Sequence, residues 1–317
     1  MGKDRKKKPT IIVAGPTASG KSALALKLAQ IISGEIVNAD SMQVYSELKI
    51  LTARPSDTDQ EKIPHHLYGH IPISQQHSVG LWRKQALTII EEIHSRKNIP
   101  IICGGTGLYL RVLQEGLAEI PSIPKKYIEQ AELIYTLEGA KTAFKELKRL
   151  DPKFALTIKL NDRQRVIRAL SVINATGQPI TKWKQNQPLS SKTKDHYFSI
   201  HILPPRTDLY GAIEDRFDQM ITAGVMSEIE HINSLQLTGT LPAIKAIGFS
   251  ELIQAHLGEI TISAAIEKAK KATRNLAKRQ FSWFRNQAKA NLIIPNFVNQ
   301  ETLSLSIEET KKFLMDK

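Results

Sequence analysis

The chain has 317 residues, 41% of them hydrophobic, which is enough to bury a full core as one large domain or two unequal ones and argues against a disordered chain. Lys plus Arg outnumber Asp plus Glu by 44 to 31, a formal net charge of +13, so an acidic partner is expected, nucleic acid first and an anionic membrane surface second. The single cysteine, Cys103, excludes an internal disulfide and a cysteine-based zinc site, points to a reducing cytosol, and leaves any metal to oxygen ligands.

The start, Met1 to Lys8, is basic with no apolar run behind it, which reads as neither signal peptide nor anchor. Gly2 would suit an acyl chain, but Lys6 stands where that signal needs Ser or Thr. No window approaches the roughly 20 apolar residues of a membrane span.

Thr10 to Ala14 is a β-branched apolar run, followed by a glycine-bearing loop and by helical apolar spacing from Lys21 to Ile32, with Gly34 as a stop. Glu35 to Asp40 predicts a second strand. Ser78 caps a predicted helix to about Ser95, and Ile99 to Cys103 predicts a third buried strand ending in Gly104-Gly105.

Strands alternating with helices predict an α/β fold with a parallel sheet flanked by helices and ligands gathered at the carboxyl ends of the strands, and the phosphate-loop pattern at Gly15 to Ser22 makes that sheet P-loop NTPase-like. Residues 1–124 are read as the first part of this core and 125–190 as a helical insertion domain, with Gly139 and Gly177 at helix ends. Residues 191–317 complete the core and carry C-terminal basic helices. In that last part the pattern predicts a strand over His196 to Leu203 and one helix from Thr207 to about Leu235. Helices follow from Ala243 and Ser263, with a short strand Leu292 to Ile294 and a closing helix from Glu301.

Gly15-Pro16-Thr17-Ala18-Ser19-Gly20-Lys21-Ser22 matches the phosphate-loop pattern and lies between a buried strand and a helix start. Its N–H groups and the helix dipole would cradle phosphate oxygens, Lys21 would neutralise one, and the Ser22 hydroxyl would ligate Mg²⁺. The pattern says diphosphate or triphosphate without choosing ATP. An ATP motor would offer a second strand ending in a Mg²⁺-binding Asp, and Ile99 to Cys103 ends in glycines instead.

Asp40 ends the second predicted strand and should project at the sheet edge that holds the phosphate loop. It is a candidate general base, or else the cap of the turn it opens. Gly104 to Gly107 lets backbone and the Thr106 hydroxyl approach a ligand at that edge, although a plain strand-to-helix turn explains the glycines equally well.

From Glu267 to Lys289 eight Lys and Arg face a single carboxylate, with Lys271, Arg274, Lys278, Arg285 and Lys289 on one helical face and Phe281, Trp283 and Phe284 interleaved. Such a stripe suits an unstacked RNA segment, or a solvated face with aromatic core positions. Arg163, Arg165 and Arg168 form a second basic group that either lines the same surface or pairs with Asp151 and Asp162.

In order and spacing, seven segments together resemble the bacterial tRNA dimethylallyltransferases. They are the phosphate loop; Asp40 to Tyr45; Thr52-Ala53-Arg54-Pro55; Pro64-His65-His66-Leu67; Gly104 to Tyr109; Asn161 to Arg165; and Ala272 to Gln280. The resemblance implies a phosphate loop that holds the diphosphate of dimethylallyl diphosphate with Mg²⁺, no ATP consumed, and an adenine at tRNA position thirty-seven entering the other mouth of a channel.

It further implies that Asp40 takes the proton of the adenine's exocyclic amine and that Thr106 with Arg216 holds the diphosphate beside Lys21. By the same resemblance the tRNA anticodon stem-loop would be contacted by Asp40, Ser41, Met42 and Gln43, by Gln164, Arg165 and Arg168 of the insertion, and by Lys245, Gly248 and Phe249. Arg274, Lys278, Arg279, Trp283 and Arg285 complete that set, in a monomeric cytoplasmic enzyme with no membrane contact. A P-loop kinase of a nucleoside or small molecule, and an RNA-binding protein with a vestigial loop, are the competing readings.

Overall fold

The computed structural model describes residues 8–185, 196–236 and 242–316, so the basic start before Lys8 lies outside the described residues. Two compact units divide the chain, one formed by residues 1–114 with 194–317 and the other by residues 115–193.

The first unit is built on a six-stranded parallel sheet. In chain order its first half holds β1 (Pro9–Ala14), α1 (Lys21–Ile32), β2 (Gly34–Asn38), α2 (Asp57–Lys62), β3 (His65–His66), α3 (Val79–Ser95), β4 (Ile99–Gly104) and α4 (Gly107–Glu115). The second unit follows with α5 (Lys125–Leu133), a π-helical turn over Ile134–Glu138, α6 (Ala140–Leu150), α7 (Pro152–Ala155), α8 (Arg163–Thr176) and α9 (Ile180–Gln185). The chain then returns through β5 (His196–Ile202), α10 (Arg206–Thr222), α11 (Val225–Ser234), α12 (Phe249–His256), α13 (Ile262–Asn286), β6 (Leu292–Ile294) and α14 (Gln300–Met315).

The strand order is β3-β2-β4-β1-β5-β6. Register decides what this does for chemistry: Ala14 lies opposite Gly104 and His201, and Asn38 lies opposite Cys103. The loops after β1, β2 and β4 therefore leave the same sheet edge side by side, which is where parallel sheets place ligands. Gly104 is required there, because a Cβ on it would collide with the backbone of Ala39 just past β2.

Strand residues Ile11, Val13, Ile36, Ile101 and Ile200 pack on Leu24, Ala25 and Leu28 of α1 and on Leu303 of α14. These side chains are at most 9% exposed, so each Ile, Val and Leu among them is expected to contribute about 1.5–3 kcal/mol on burial. Trp82 of α3 is fully buried, stacks on Tyr109 with ring centroids 4.2 Å apart, and donates its indole N–H to Asn38 O at 2.8 Å. It thereby props the end of β2 just before Asp40.

A second core, with Val44, Tyr45 and Leu48 against Phe217, Ile229, Leu252 and Ala269, anchors the segment after Asp40 to α10, α11, α12 and α13. The unit of residues 115–193 has its own core around Ala131, Leu147, Val166 and Leu170. Among the described residues no helix is long and apolar enough to cross a membrane.

The single helix expected from Thr207 to Leu235 is two, because Gly224 at φ +90° ends the first and starts the second while both keep their apolar faces on the same core. The helix expected from Ala243 is a 3₁₀ turn over Pro242–Lys245, and α12 begins only after Gly248 at φ +92°. The two-residue β3 is too short to show an alternating pattern.

At the far end of β2 the buried Glu35 accepts hydrogen bonds from Arg96 Nη2 at 2.8 Å and Asn98 Nδ2 at 2.8 Å, and lies 2.7 Å from His66 Nε2. Burial alone would raise its pKa, but these partners hold it down to about 2. A depressed carboxylate stabilises the fold fully above the unfolded value near 4.5 and ceases to do so as pH falls toward 2. Glu35→Gln is therefore expected to lose roughly 2–3 kcal/mol at pH 7 in urea denaturation, a deficit that shrinks between those two pH values. An equal deficit at both ends of that window would remove the ionic explanation.

Candidate active site

The phosphate loop leaves β1 and turns into α1 through Gly20 in the left-handed region, with Ala18 also at φ +63°. That pairing of left-handed residues turns successive N–H groups inward, the arrangement that makes an anion nest, and a non-glycine held there costs about 1–2 kcal/mol. Lys21 Nζ donates to Pro16 O at 3.2 Å, so the lysine folds back over its own loop.

Asp40 lies two residues beyond β2. Its N–H donates to Asn38 Oδ1 at 2.8 Å, and its own Oδ1 accepts from Met42 N at 2.8 Å and Gln43 N at 3.4 Å. The turn-capping reading is thus realised with one carboxylate oxygen. Among the described residues no hydrogen bond reaches Oδ2, which leaves that oxygen for a ligand. Thr106 ties the β4 loop to this turn, its Oγ1 accepting from Ser41 N at 3.1 Å.

Arg216 of α10 reaches the phosphate loop from 199 residues away in sequence and donates through Nη2 to Thr17 Oγ1. Burial lowers the pKa of Arg216 and of Lys21, and the charge of Asp40 draws both back up. Two partly buried cations against one carboxylate leave a net positive site that suits an anion.

These groups line a cavity of about 280 Å³ with Thr17, Asp40, Thr106, Arg216 and Gln280 at its polar side. Leu51, Ile213, Phe217, Met220 and Leu276 form an apolar wall. A second cavity of about 410 Å³ reaches Ser22, Arg54, Tyr68 and Cys103. Burial pushes the Cys103 thiol up to about 11, with Lys21 and Ser22 pulling the other way, so it stays protonated and unreactive.

Several expected tRNA contacts meet other partners. Phe249 is 6% exposed inside the core, so its ring cannot stack on a base, and Gly248 serves as the left-handed start of α12. Gln43 Nε2 donates to the carbonyls of Thr52 and Ala53 at 2.8 and 3.0 Å. The Arg274 guanidinium is held by Glu214 of α10, a carboxylate that the local sequence around Arg274 could not reveal.

Trp283 packs over Gly107, where a Cβ would strike its ring, and Phe284 is core. Lys278, Arg279 and Arg285 remain exposed on α13, Lys245 is exposed at the cavity rim, and Ser41 and Met42 line the cavity itself. In the other unit Gln164, Arg165 and Arg168 are exposed on α8. There Arg165 pairs with Asp162 at 3.5 Å, whereas Asp151 is spent on Phe154 N and Thr181.

The sequence places Gln280 within a stretch that carries the resemblance but gives it no contact with the phosphate loop, and it does not point to the apolar wall. Ile213, Phe217 and Met220 sit at helical spacing that reads as ordinary core, and nothing in the spacing distinguishes a core face from one side of a cavity.

A family model described as IPP transferase matches residues 43–287, and one described as isopentenyl transferase matches residues 9–69. The chain belongs to the IPP transferase family.

Within it, the chain is 43% identical to a tRNA dimethylallyltransferase of Rhodospirillum centenum, over 89% of this chain and 90% of that one. It is 41% identical to one of Caulobacter sp., over 93% of each. Among solved structures it is similar to a full-length tRNA isopentenylpyrophosphate transferase from Bacillus halodurans, with TM-score 0.68 and 30% identity over 98% of this chain and 96% of that one. It is also similar to a eukaryotic dimethylallyltransferase acting on tRNA, with TM-score 0.84 and 27% identity over 98% of this chain and 80% of that one. The family shares the P-loop α/β architecture described above.

Proposed function

We propose that this chain transfers a dimethylallyl group from dimethylallyl diphosphate to the exocyclic amine of the adenine at tRNA position thirty-seven, next to the anticodon. The observation that carries the reading is a cavity in which Asp40, Thr106 and Arg216 meet Thr17 of the phosphate loop beside an apolar wall. Cations and amides suit the diphosphate, the wall suits a five-carbon chain, and a carboxylate oxygen suits an amine that must lose a proton.

The bookkeeping of the step is simple. The amine nitrogen attacks the allylic carbon, the carbon–oxygen bond to diphosphate breaks, and its electron pair leaves on the diphosphate. Asp40 takes the N–H proton. Lys21, Arg216 and the Thr106 hydroxyl hold the departing charge, and the amides of Gly15 to Ser22 complete the cradle.

The donor set also fits Mg²⁺. Ser22 opens α1 beside the cradle, and among the described residues no group of three His, Cys, Asp or Glu offers a cage of its own. An ion that takes one hydroxyl, diphosphate oxygens and water is what Mg²⁺ prefers. When bound it supplies further charge to the leaving group.

The tRNA would be met through its anticodon stem-loop by Lys245, Lys278, Arg279 and Arg285 and by Gln164, Arg165 and Arg168. Extruding the adenine costs a few kcal/mol in a duplex and less in a loop whose bases are already exposed. Every group in the proposed chemistry belongs to one chain, so a monomer suffices, and a cytoplasmic site of action follows from the substrate.

Membership in this family, with tRNA dimethylallyltransferases at 43% identity, favours transfer over the kinase reading. The test is incorporation of labelled dimethylallyl into unmodified tRNA with Mg²⁺ and without ATP. Transfer supports the reading; ATP turnover on a small acceptor, with no transfer, would replace it with the kinase. Affinity for tRNA is expected to fall as salt rises, with a slope of about 0.7–0.9 per phosphate neutralised, as read by filter binding between low and high salt. A flat salt response would mean that the exposed arginines and lysines of α13 do not touch RNA.

A further inference from the structure

Gln280 of α13 has no part in the chemistry above, yet it grips the phosphate loop directly. Its Oε1 accepts from Thr17 N at 2.8 Å, and its Nε2 donates to Gly105 O at 2.9 Å. A backbone donor at one end and a backbone acceptor at the other fix which way the amide faces. The contact is built into the fold, since a Cβ on Gly105 would stand 2.5 Å from Gln280 Nε2 and 3.0 Å from Gly15 O.

A phosphate loop binds through the N–H groups and cation at the helix end, and a longer phosphate chain extends from there along the earlier loop residues. Thr17 is such an earlier residue, four before Lys21, and it faces the cavity that holds Asp40. Its N–H is taken by Gln280 and its hydroxyl by Arg216. A third phosphoryl group would have to displace both and would stand beside a carboxylate.

We propose that Gln280 is a specificity-determining residue: by capping the Thr17 amide it limits the phosphate loop to two phosphoryl groups and turns triphosphates away. This rests on the diphosphate reading above. It also gives a physical reason why a loop of the nucleotide-binding pattern serves a transferase that spends no ATP.

The probes are inorganic pyrophosphate and inorganic tripolyphosphate, titrated with Mg²⁺ into the full chain by calorimetry. Wild type is expected to bind pyrophosphate at least about tenfold more tightly than tripolyphosphate, the cost of breaking one or two partly buried hydrogen bonds. In Gln280→Ala that preference should collapse to near parity. Gln280→Met, which keeps the volume but cannot accept from Thr17, should follow the alanine variant and guards against a packing defect.

A preference that survives in both variants overturns the proposal, as does a wild type that takes both anions equally. A wild type that binds neither overturns the diphosphate reading itself, and the two failures are thereby told apart.

Discussion

Asp40→Ala is expected to reduce dimethylallyl transfer by at least about 10²-fold, in the range for loss of a positioned general base, with tRNA binding largely retained. The alanine variant alone is ambiguous, because Asp40 Oδ1 also closes the turn that carries Met42 and Gln43. Asp40→Asn separates the two roles. The asparagine carbonyl can still accept from the Met42 amide, as Asx turns do, but it cannot take a proton.

If Asp40 is the base, both variants fall together. If the turn is what matters, asparagine should restore most of the rate. Single-turnover kinetics on preformed complexes would show which holds, since a recovery in the asparagine variant would move the base elsewhere in the cavity. Thr106→Ala gives a comparison at the same loop: it removes both the tether to Ser41 and the hydroxyl assigned to the diphosphate, and leaves the carboxylate in place. The lost rate in that variant should be smaller, and its pH profile should keep the wild-type shape.

The parts of this site that the sequence makes legible are those set by local pattern. The phosphate loop is one run of eight residues, and Asp40 and Gly104-Gly105 each follow a strand whose apolar run is plain. Parallel register then brings their loops together without further information.

The parts that resist a reading arrive by tertiary packing. Arg216 is placed by resemblance alone, because helical spacing cannot say that α10 crosses the mouth of the phosphate loop. Arg274 belongs on a basic stripe until Glu214, on another helix, claims it. Phe249 is placed at the RNA by resemblance alone, and the local pattern does not show that its ring is buried in the core. Gln280 lies in a segment that carries the resemblance, but its hold on the phosphate loop shows only when its two backbone partners are in view.

Arg216→Ala is the second large effect, expected to lower kcat by roughly 10²–10³-fold, the loss seen when one preorganised donor is removed from a developing anion. The size follows from where the guanidinium sits. Burial lowers its pKa, and the charge of Asp40 and the bond to Thr17 Oγ1 work against that cost. In the proposed reaction a partly buried cation already fixed on the phosphate loop meets the negative charge that gathers on the diphosphate. An effect on kcat and kcat/KM together would mark an interaction made in the transition state, whereas a raised KM at unchanged kcat would reduce Arg216 to ground-state binding.

Arg216→Lys adds a finer test. Lysine keeps the charge but loses the planar fork that allows one nitrogen to stay on Thr17 Oγ1 while another faces the ligand, so recovery should be partial. Full recovery by lysine would mean that charge alone matters, and that the bond to Thr17 is incidental to the reaction.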